Sequence, residues 1–276
     1  MDIQVAPGVL VVEMQVANGK AGVIAGSEVV LAVDAGLDDA EGAAVIAAAQ
    51  SLDLPDIQLV FTHGHIDHAL GGTAFRGLPI HARREVSTYM RSQLETWADR
   101  RDETEAQLDA RLGWPTHEFD DEASLDLGGR RVRLIDSPGH APGAVCVFDP
   151  EAGVLFGGDT IVTAIPPAFS DGDAVVLEQT LRRLAQLEPE VLIPGHGEVV
   201  VGRSAARAAI EWSADYLARC LAHIEASHGL NEATILAQAP FDEFIGDHLP
   251  RDRYRMEWRH EQTLRTLLAH RQATQH

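Results

Sequence analysis

The fold of this chain is decided by one stretch, Val60-Phe61-Thr62-His63-Gly64-His65-Ile66-Asp67-His68-Ala69-Leu70-Gly71-Gly72. It begins at the end of an apolar run, places three histidines and one aspartate within six positions, and continues into small residues that can start a helix. Imidazole nitrogen and carboxylate oxygen are ligands that zinc accepts. Because four such groups in one turn can converge only around positive charge, the stretch predicts a β-strand that ends in a metal site.

Three later strand-like runs also end at a glycine-flanked residue of a metal-ligating type. These residues are His140, Asp159 and His196. One such ending is typical of an ordinary polar turn, whereas three of them together with the histidine cluster indicate that these residues serve the same site. Ligands at the ends of several strands meet at one edge of a sheet, so we predict one composite site.

The remaining patterns indicate layered α/β structure. Short β-like runs broken by glycines between residues 8 and 34 predict an antiparallel meander, and an alanine-rich helix is expected from Asp39 to Leu52. Apolar residues at three- and four-residue spacing predict an amphipathic helical insertion at about residues 84–114. Residues 230–276 are helical by pattern, and no linker precedes them. We therefore expect a catalytic domain of residues 1–229 with a C-terminal helical appendage packed on it.

Composition narrows the function classes. The 276 residues are 45% hydrophobic, which is enough for one large core, and 22 basic against 42 acidic residues give a formal net charge of −20. This charge disfavours nonspecific binding to nucleic acid or anionic membranes. The partner that we expect is a small-molecule substrate. The N-terminus lacks a secretory signal pattern, and no apolar run is long enough to span a bilayer. We expect a cytoplasmic protein of open oligomeric state, with a homodimer as one option.

In this order, the histidine cluster, the Pro-Gly-His turn, Gly-Gly-Asp-Thr and Pro-Gly-His-Gly resemble the five-part signature of the metallo-β-lactamase superfamily, over roughly residues 8–225. The resemblance implies an α/β fold of four layers, αβ/βα, with the metal site where the two sheets meet. It also implies two Zn²⁺ ions, with iron or manganese as alternatives. One ion takes His63, His65 and His140; the other takes Asp67, His68 and His196; and Asp159 bridges the two.

The resemblance also bears on the reaction. Zinc β-lactamases do not carry a bridging aspartate at the Asp159 position, so the pattern is closer to the hydroxyacylglutathione hydrolases and lactonases. It implies a hydrolase in which hydroxide held by two metals cleaves a small ester, thioester or lactone, with Asp67 and Asp159 as catalytic residues. A phosphodiesterase or ribonuclease of the superfamily remains an alternative. So do a mononuclear iron dioxygenase of the persulfide type and a purely structural metal site.

Six further residues are candidates for supporting the ligands or contacting substrate. Asp34 ends a predicted strand and could accept a hydrogen bond from a ligating histidine, or simply form a turn. Trp97 and Trp114 lie in the helical insertion with other large apolar residues, where they line the cleft or pack the insertion on the core. His260 is on the apolar face of a predicted helix from Tyr254 to His270 and is either core or functional. Nearby are two candidate handles for an anionic substrate group, Arg255 and Arg259.

Overall fold

The computed structural model describes residues 3–15, 18–163, 165–169, 171–245 and 253–273, without the side chains of 253–255 and 273. Two β-sheets pack face to face, and helices cover both outer faces. This is the four-layer αβ/βα sandwich that the sequence predicted. No helix within the described residues has both the length and the apolar character needed to cross a membrane.

The first sheet follows chain order: β1 Ile3–Ala6, β2 Val9–Glu13, β3 Lys20–Ala25, β4 Val29–Val33, β5 Asp56–Val60, β6 Ile80–Arg83 and β7 His117–Phe119. Strands β1 to β4 form the predicted antiparallel meander, and β5, β6 and β7 continue the sheet in parallel. Val33 pairs with Val60, so β4 and β5 end together at one edge. The histidine cluster begins at this edge.

The second sheet comprises β8 Ala123–Asp126, β9 Arg131–Asp136, β10 Val145–Asp149, β11 Val154–Phe156, β12 Val191–Ile193 and β13 Val200–Val201. Neighbouring strands are antiparallel except for β11 and β12, which run parallel with Phe156 opposite Ile193. Asp159 and His196 each follow three positions later, so the register carries both to the same edge.

The helices are α1 Asp39–Gln50, α2 Ile66–Ala69, α3 Arg84–Ser92, α4 Leu94–Arg100, α5 Glu105–Arg111, α6 Ala174–Ala185, α7 Arg203–Ala226, α8 Glu232–Ala237, α9 Phe241–Ile245 and α10 Arg253–Ala273. Aspartate side chains cap the starts of α1 and α6. Asp38 accepts hydrogen bonds from the backbone of Ala40 and Glu41, and Asp173 from that of Val175 and Val176.

Apolar clusters fill all three interlayer spaces, because successive strand residues point to opposite faces of a sheet. In β4, Leu31 and Val33 pack between the sheets, whereas Val30 and Ala32 pack towards α1. A third cluster lies under α6, α7 and α10 on the second sheet. Strands buried on both faces explain the continuous apolar runs of the sequence.

The helical insertion predicted at residues 84–114 is the connection between strands β6 and β7 of the first sheet. It forms α3, α4 and α5 in succession, and β7, which follows them, pairs in parallel with β6. Parallel neighbours need a long crossover, and these helices supply it. The sequence pattern did not reveal β7 because a strand of three residues is too short to show alternation.

The C-terminal segment shares its core with the rest of the chain. Ile235, Phe241, Leu264 and Leu267 belong to the same apolar cluster as the buried faces of α6 and α7. These helices are therefore packed on the second sheet's helical layer, as expected for an appendage. The domain boundary at residue 229 stays a prediction.

A buried ion pair joins the two sheets away from the histidine cluster. Arg130 donates from Nε to Asp149 Oδ2 at 2.9 Å and from Nη1 to the carbonyls of Pro7 and Ala25, and the Asp149 side chain is fully buried. We expect Arg130→Ala to lower the free energy of unfolding by about 3–5 kcal/mol, because it leaves a buried carboxylate without its partner. Urea denaturation would measure this. The exposed Arg131→Ala serves as the control, and equal stability of the two variants would contradict the assignment.

Candidate metal centre

The ends of four strands, β5, β9, β11 and β12, bring the predicted ligands to one edge of the sandwich. His63, His65, Asp67 and His68 follow β5, and His140 lies in the turn between β9 and β10. Among the described residues two ligand groups form, each with atoms within 4.8 Å of one another: His63, His65, His140 and Asp159 in one, and Asp67, His68 and His196 in the other. The structure thus brings together all seven residues that the sequence singled out.

Asp159 lies between the two groups. Its Oδ1 is 3.2 Å from His68 Nε2, and its Oδ2 is 3.4 Å from His196 Nε2 and 3.7 Å from His140 Nε2. Gly195 makes this approach sterically feasible, because a Cβ there would sit 2.0 Å from Asp159 Oδ1. A single carboxylate thereby faces ligands of both groups.

The donor set fits a divalent cation. Within the part of the chain that the structure describes, His63 Nε2, His68 Nε2 and Asp159 Oδ1 are buried and have no hydrogen-bond partner of good geometry, although the last two lie 3.2 Å apart. A buried polar atom left without a partner costs roughly 1–3 kcal/mol. Imidazole nitrogens and carboxylate oxygens that point inward at one another are satisfied together by a metal ion of the zinc type.

In three histidines, the contact made by the outward-facing nitrogen determines which ring nitrogen is left to bind a metal ion. His63 Nδ1 lies 3.0 Å from Thr62 Oγ1, His68 Nδ1 lies 2.8 Å from Asp34 Oδ2, and His140 Nδ1 lies 2.7 Å from the Ala168 carbonyl. The carbonyl and the carboxylate can only accept, so Nδ1 carries the proton in His68 and His140. Nε2 is then the nitrogen whose lone pair is available to a metal ion in these two histidines.

Comparison with known proteins agrees with this geometry. The family model described as the metallo-beta-lactamase superfamily matches residues 15–196. The chain belongs to the metallo-β-lactamase superfamily. Members share the fold and the ligand motifs, so the metal-binding character of the site follows from both.

Individual relatives share only a minor part of their sequence with this chain. The chain is 26% identical over 205 residues to the probable metallo-hydrolase YflN of Bacillus subtilis, covering 62% of this chain and 76% of that one. It is 28% identical over 197 residues to the acyl-coenzyme A thioesterase MBLAC2 of Gallus gallus, covering 63% and 70%. The solved sec-alkylsulfatase Pisa1 from Pseudomonas sp. superposes with a TM-score of 0.76 at 16% identity, covering 98% of this chain and 50% of that one. This chain thus spans half the length of Pisa1, and the likeness shows the fold alone.

Asp34 contacts a histidine of the site on the side that faces away from the two ligand groups. It has a positive φ of 59° and is 2% exposed. Its carboxylate accepts hydrogen bonds from the backbone N–H and the hydroxyl of Thr62, both at 2.7 Å, in addition to its contact with His68. Because the Thr62 hydroxyl donates to Asp34, it is left to accept the Nδ1 proton of His63. One carboxylate therefore orients ligands of both groups.

We expect Asp34→Asn to weaken metal binding about 10- to 100-fold, the usual effect of losing a carboxylate behind a ligating histidine. Asparagine keeps the size of the side chain and tolerates the positive φ, so the backbone is preserved. Zinc titration against a chromophoric chelator would measure the change. An affinity equal to that of the original protein would show that Asp34 serves only the turn.

Electrostatics in the absence of metal separate the ligands into two sets. Burial lowers the pKa of His140 to about 4, with His65 adding to the effect, and burial together with neighbouring histidines holds the pKa of His63 well below its usual value. Burial also acts to lower the pKa of His196, but Asp159 and Asp67 outweigh it and raise this pKa to about 9. His63 and His140 are thus neutral at pH 7, which is the ligating form. Asp159 and Asp67 favour positive charge beside His196. A bound cation would supply that charge.

The predicted aromatic wall is only partly at the site. The Tyr89 ring packs edge-on against His65, with centroids 5.4 Å apart. Trp97 is 3% exposed within the core cluster, and Trp114 is half-buried, with its indole N–H donating to the Asp109 carbonyl at 3.2 Å and Arg91 over its ring. The structure brings Tyr89 to the metal centre and places Trp97 in the core.

The C-terminal candidates lie in the layer of α7 and α10. His260 is 4% exposed, and its two ring nitrogens contact Tyr216 Oη and the Ala239 carbonyl, each at 2.9 Å. Both nitrogens are thus engaged with protein, which is the core arrangement that the sequence left open. Arg259 lines a surface cavity with Trp258 and residues 166–169, and the Arg255 side chain lies outside the described residues. A role for either arginine in holding an anion stays a prediction.

Sequence reasoning did not identify Asp171. Its Oδ2 lies 3.1 Å from His65 Nε2, across 106 positions of the chain. Asp171 sits in the polar loop before α6, where an aspartate beside a glycine is typical of a turn. No local pattern distinguishes it from its neighbour Asp173, which caps α6.

Proposed function

We propose that this chain is a hydrolase that binds two divalent ions, most naturally Zn²⁺, and cleaves a small ester, thioester or lactone. The observation that carries the proposal is the position of Asp159 between two complete ligand groups. The metal ions, when bound, lower the pKa of water to about 7 and polarise a carbonyl oxygen. Apart from Asp159, each group supplies three ligands. Three protein ligands are typical of catalytic metal sites, which keep a position for reactants.

The protein's own carboxylates would order the reactants. The Asp67 side chain is 29% exposed, against 12% for Asp159, and its Oδ2 lies 3.2 Å from His196 Nε2. Asp67 is therefore the site carboxylate more open to entering water. We assign to it the orientation of the nucleophile and the transfer of a proton, and to Asp159 the spacing of the two ligand groups.

A cavity next to the centre can take the rest of the substrate. It has a volume of ≈ 490 Å³ and is lined by one face of α3, Asp120 and Pro142. Tyr89, which packs on His65, is part of its wall, and Pro142 follows the ligand His140 by two positions. This volume suits a small molecule. The naming of a relative as an acyl-coenzyme A thioesterase supports thioesters among the substrate classes.

The test is a substrate screen with metal-loaded protein. Thioesters, lactones, carboxylic esters, β-lactams and phosphodiesters are compared at equal concentration, with the His196→Ala variant as the matched control. We expect turnover of at least one carboxylic ester, thioester or lactone that the variant lacks. Turnover confined to phosphodiesters, or oxygen consumption with a persulfide and one bound iron, would replace the proposal with those reactions.

The cavity makes a separate prediction about selectivity. Thr88 lines it from α3, so Thr88→Trp would fill part of its volume. We expect KM to rise for substrates with long acyl chains and to stay unchanged for acetyl esters. Steady-state kinetics on a chain-length series would measure this, with the exposed Glu95→Trp on α4 as the control. An identical series in both variants would show that substrate lies elsewhere.

A further inference from the structure

A carboxylate outside the ligand set bridges two segments at the mouth of the centre. Asp171 Oδ2 lies 3.1 Å from His65 Nε2 and accepts a hydrogen bond from Tyr89 Oη at 3.4 Å. The ring of Tyr89 packs edge-on against His65. The three residues come from the loop after β5, from α3 and from the loop before α6.

His65 is oriented differently from its neighbours. Its Nδ1 faces the ligand group, 3.0 Å from His140 Nε2, whereas His68 and His140 turn Nε2 inward. A neutral imidazole carries one proton, so His65 can ligate through Nδ1 only when its proton is on Nε2. A carboxylate acceptor at Nε2 selects this tautomer.

We propose that Asp171 is a positioning residue for His65 and that it sets the metal affinity of the His63, His65 and His140 group. Tyr89 holds the same carboxylate oxygen and restricts its movement. Asp34 contacts His68 of the other group directly and reaches His63 only through Thr62, so each group has one histidine in direct contact with a different carboxylate. The inference rests on the proposed function only in that the site binds metal.

The two carboxylates differ in exposure, and this sets the expected size of their effects. The side chains of Asp34 and His68 are 3% and 2% exposed, whereas those of Asp171 and His65 are 41% and 18% exposed. Water screens the outer pair, so less of its interaction energy reaches the ligand. Asp171 should therefore act near the lower end of the usual range, about 10-fold in metal affinity, and Asp34 nearer the upper end, about 100-fold.

Zinc titration of the metal-free full chain against a chromophoric chelator tests this. The His196→Ala background weakens the group that contains His68, so the tightest remaining site is the one that contains His65. In that background we expect Asp171→Ala to lower zinc affinity about 10-fold. Asp171→Asn, which keeps an acceptor oxygen, should retain part of the affinity, and Tyr89→Phe should have a smaller effect than Asp171→Ala. Asp99→Ala, which removes an exposed carboxylate on α4, controls for net charge.

The outcomes separate a positioning role from a structural one. Unchanged zinc affinity in Asp171→Ala would overturn the proposal. So would a lower affinity accompanied by a lower melting temperature of the metal-free protein, because that pattern indicates lost folding. The titration needs no substrate, so failure of the substrate screen would count against the proposed function and leave this result standing.

Discussion

Asp159→Ala is expected to lower kcat/KM by roughly a thousandfold or more. Asp159 faces ligands of both metal groups, and its loss removes the carboxylate that sets their spacing and charge. Stabilisation of transition-state charge by a metal centre is worth several kcal/mol, and each 1.4 kcal/mol corresponds to a factor of ten in rate. The loss should appear with every substrate, because it concerns the centre and not the cavity.

Stability should change much less than activity in this variant. Burial acts to lower the pKa of His68 and His196 and Asp159 acts to raise it, so loss of this carboxylate favours the neutral form of both histidines, which needs no buried counter-charge. Kinetics, elemental analysis and thermal unfolding of Asp159→Ala measure the three properties side by side, with the exposed Asp121→Ala as the control. An active Asp159→Ala enzyme with normal metal content would contradict the bridging role.

The second large effect concerns the metal ions themselves. We expect two divalent ions per chain after mild dialysis, and fewer than two in His68→Ala, because this substitution removes a buried nitrogen, His68 Nε2, from the second group. Ligand binding stabilises a folded protein by about 4 kcal/mol at a thousandfold excess over Kd. For a chain of this size each kcal/mol corresponds to about 2–4 °C in Tm, so a chelator should lower Tm by about 10 °C and abolish turnover.

Elemental analysis with parallel differential scanning fluorimetry would measure both quantities. One tightly held ion, unchanged in His68→Ala, would contradict the dinuclear assignment. A Tm that does not respond to the chelator would show that the ions contribute nothing to folding stability. The Arg131→Ala variant, which changes an exposed side chain at the start of β9, controls for nonspecific effects of substitution.

The sequence alone was sufficient to name the seven residues that the structure brings together, and to predict the layered fold. Each ligand motif begins within four residues of a strand end, as in Val60 to His63 and Ile193 to His196, so local pattern and chemistry coincide in the same stretches. The burial of strands on both faces also shows in the sequence, because it produces uninterrupted apolar runs such as Val29 to Val33. The family resemblance predicted the order of the four layers, and the structure confirms it.

Tertiary structure decided what depends on contacts between distant segments. Only the folded chain shows that His65 turns Nδ1 towards the ligands, because the partner of its other nitrogen, Asp171, is 106 positions away. Helical spacing showed that Trp97 lies on an apolar face, but the same spacing suits a cleft wall and a core, and packing placed it in the core. The helices before β7 looked like an insertion because pairing between β6 and β7 leaves no trace in a three-residue strand. Residue type and local periodicity determined which groups are candidates to bind metal, while packing across the sandwich determined how each is oriented.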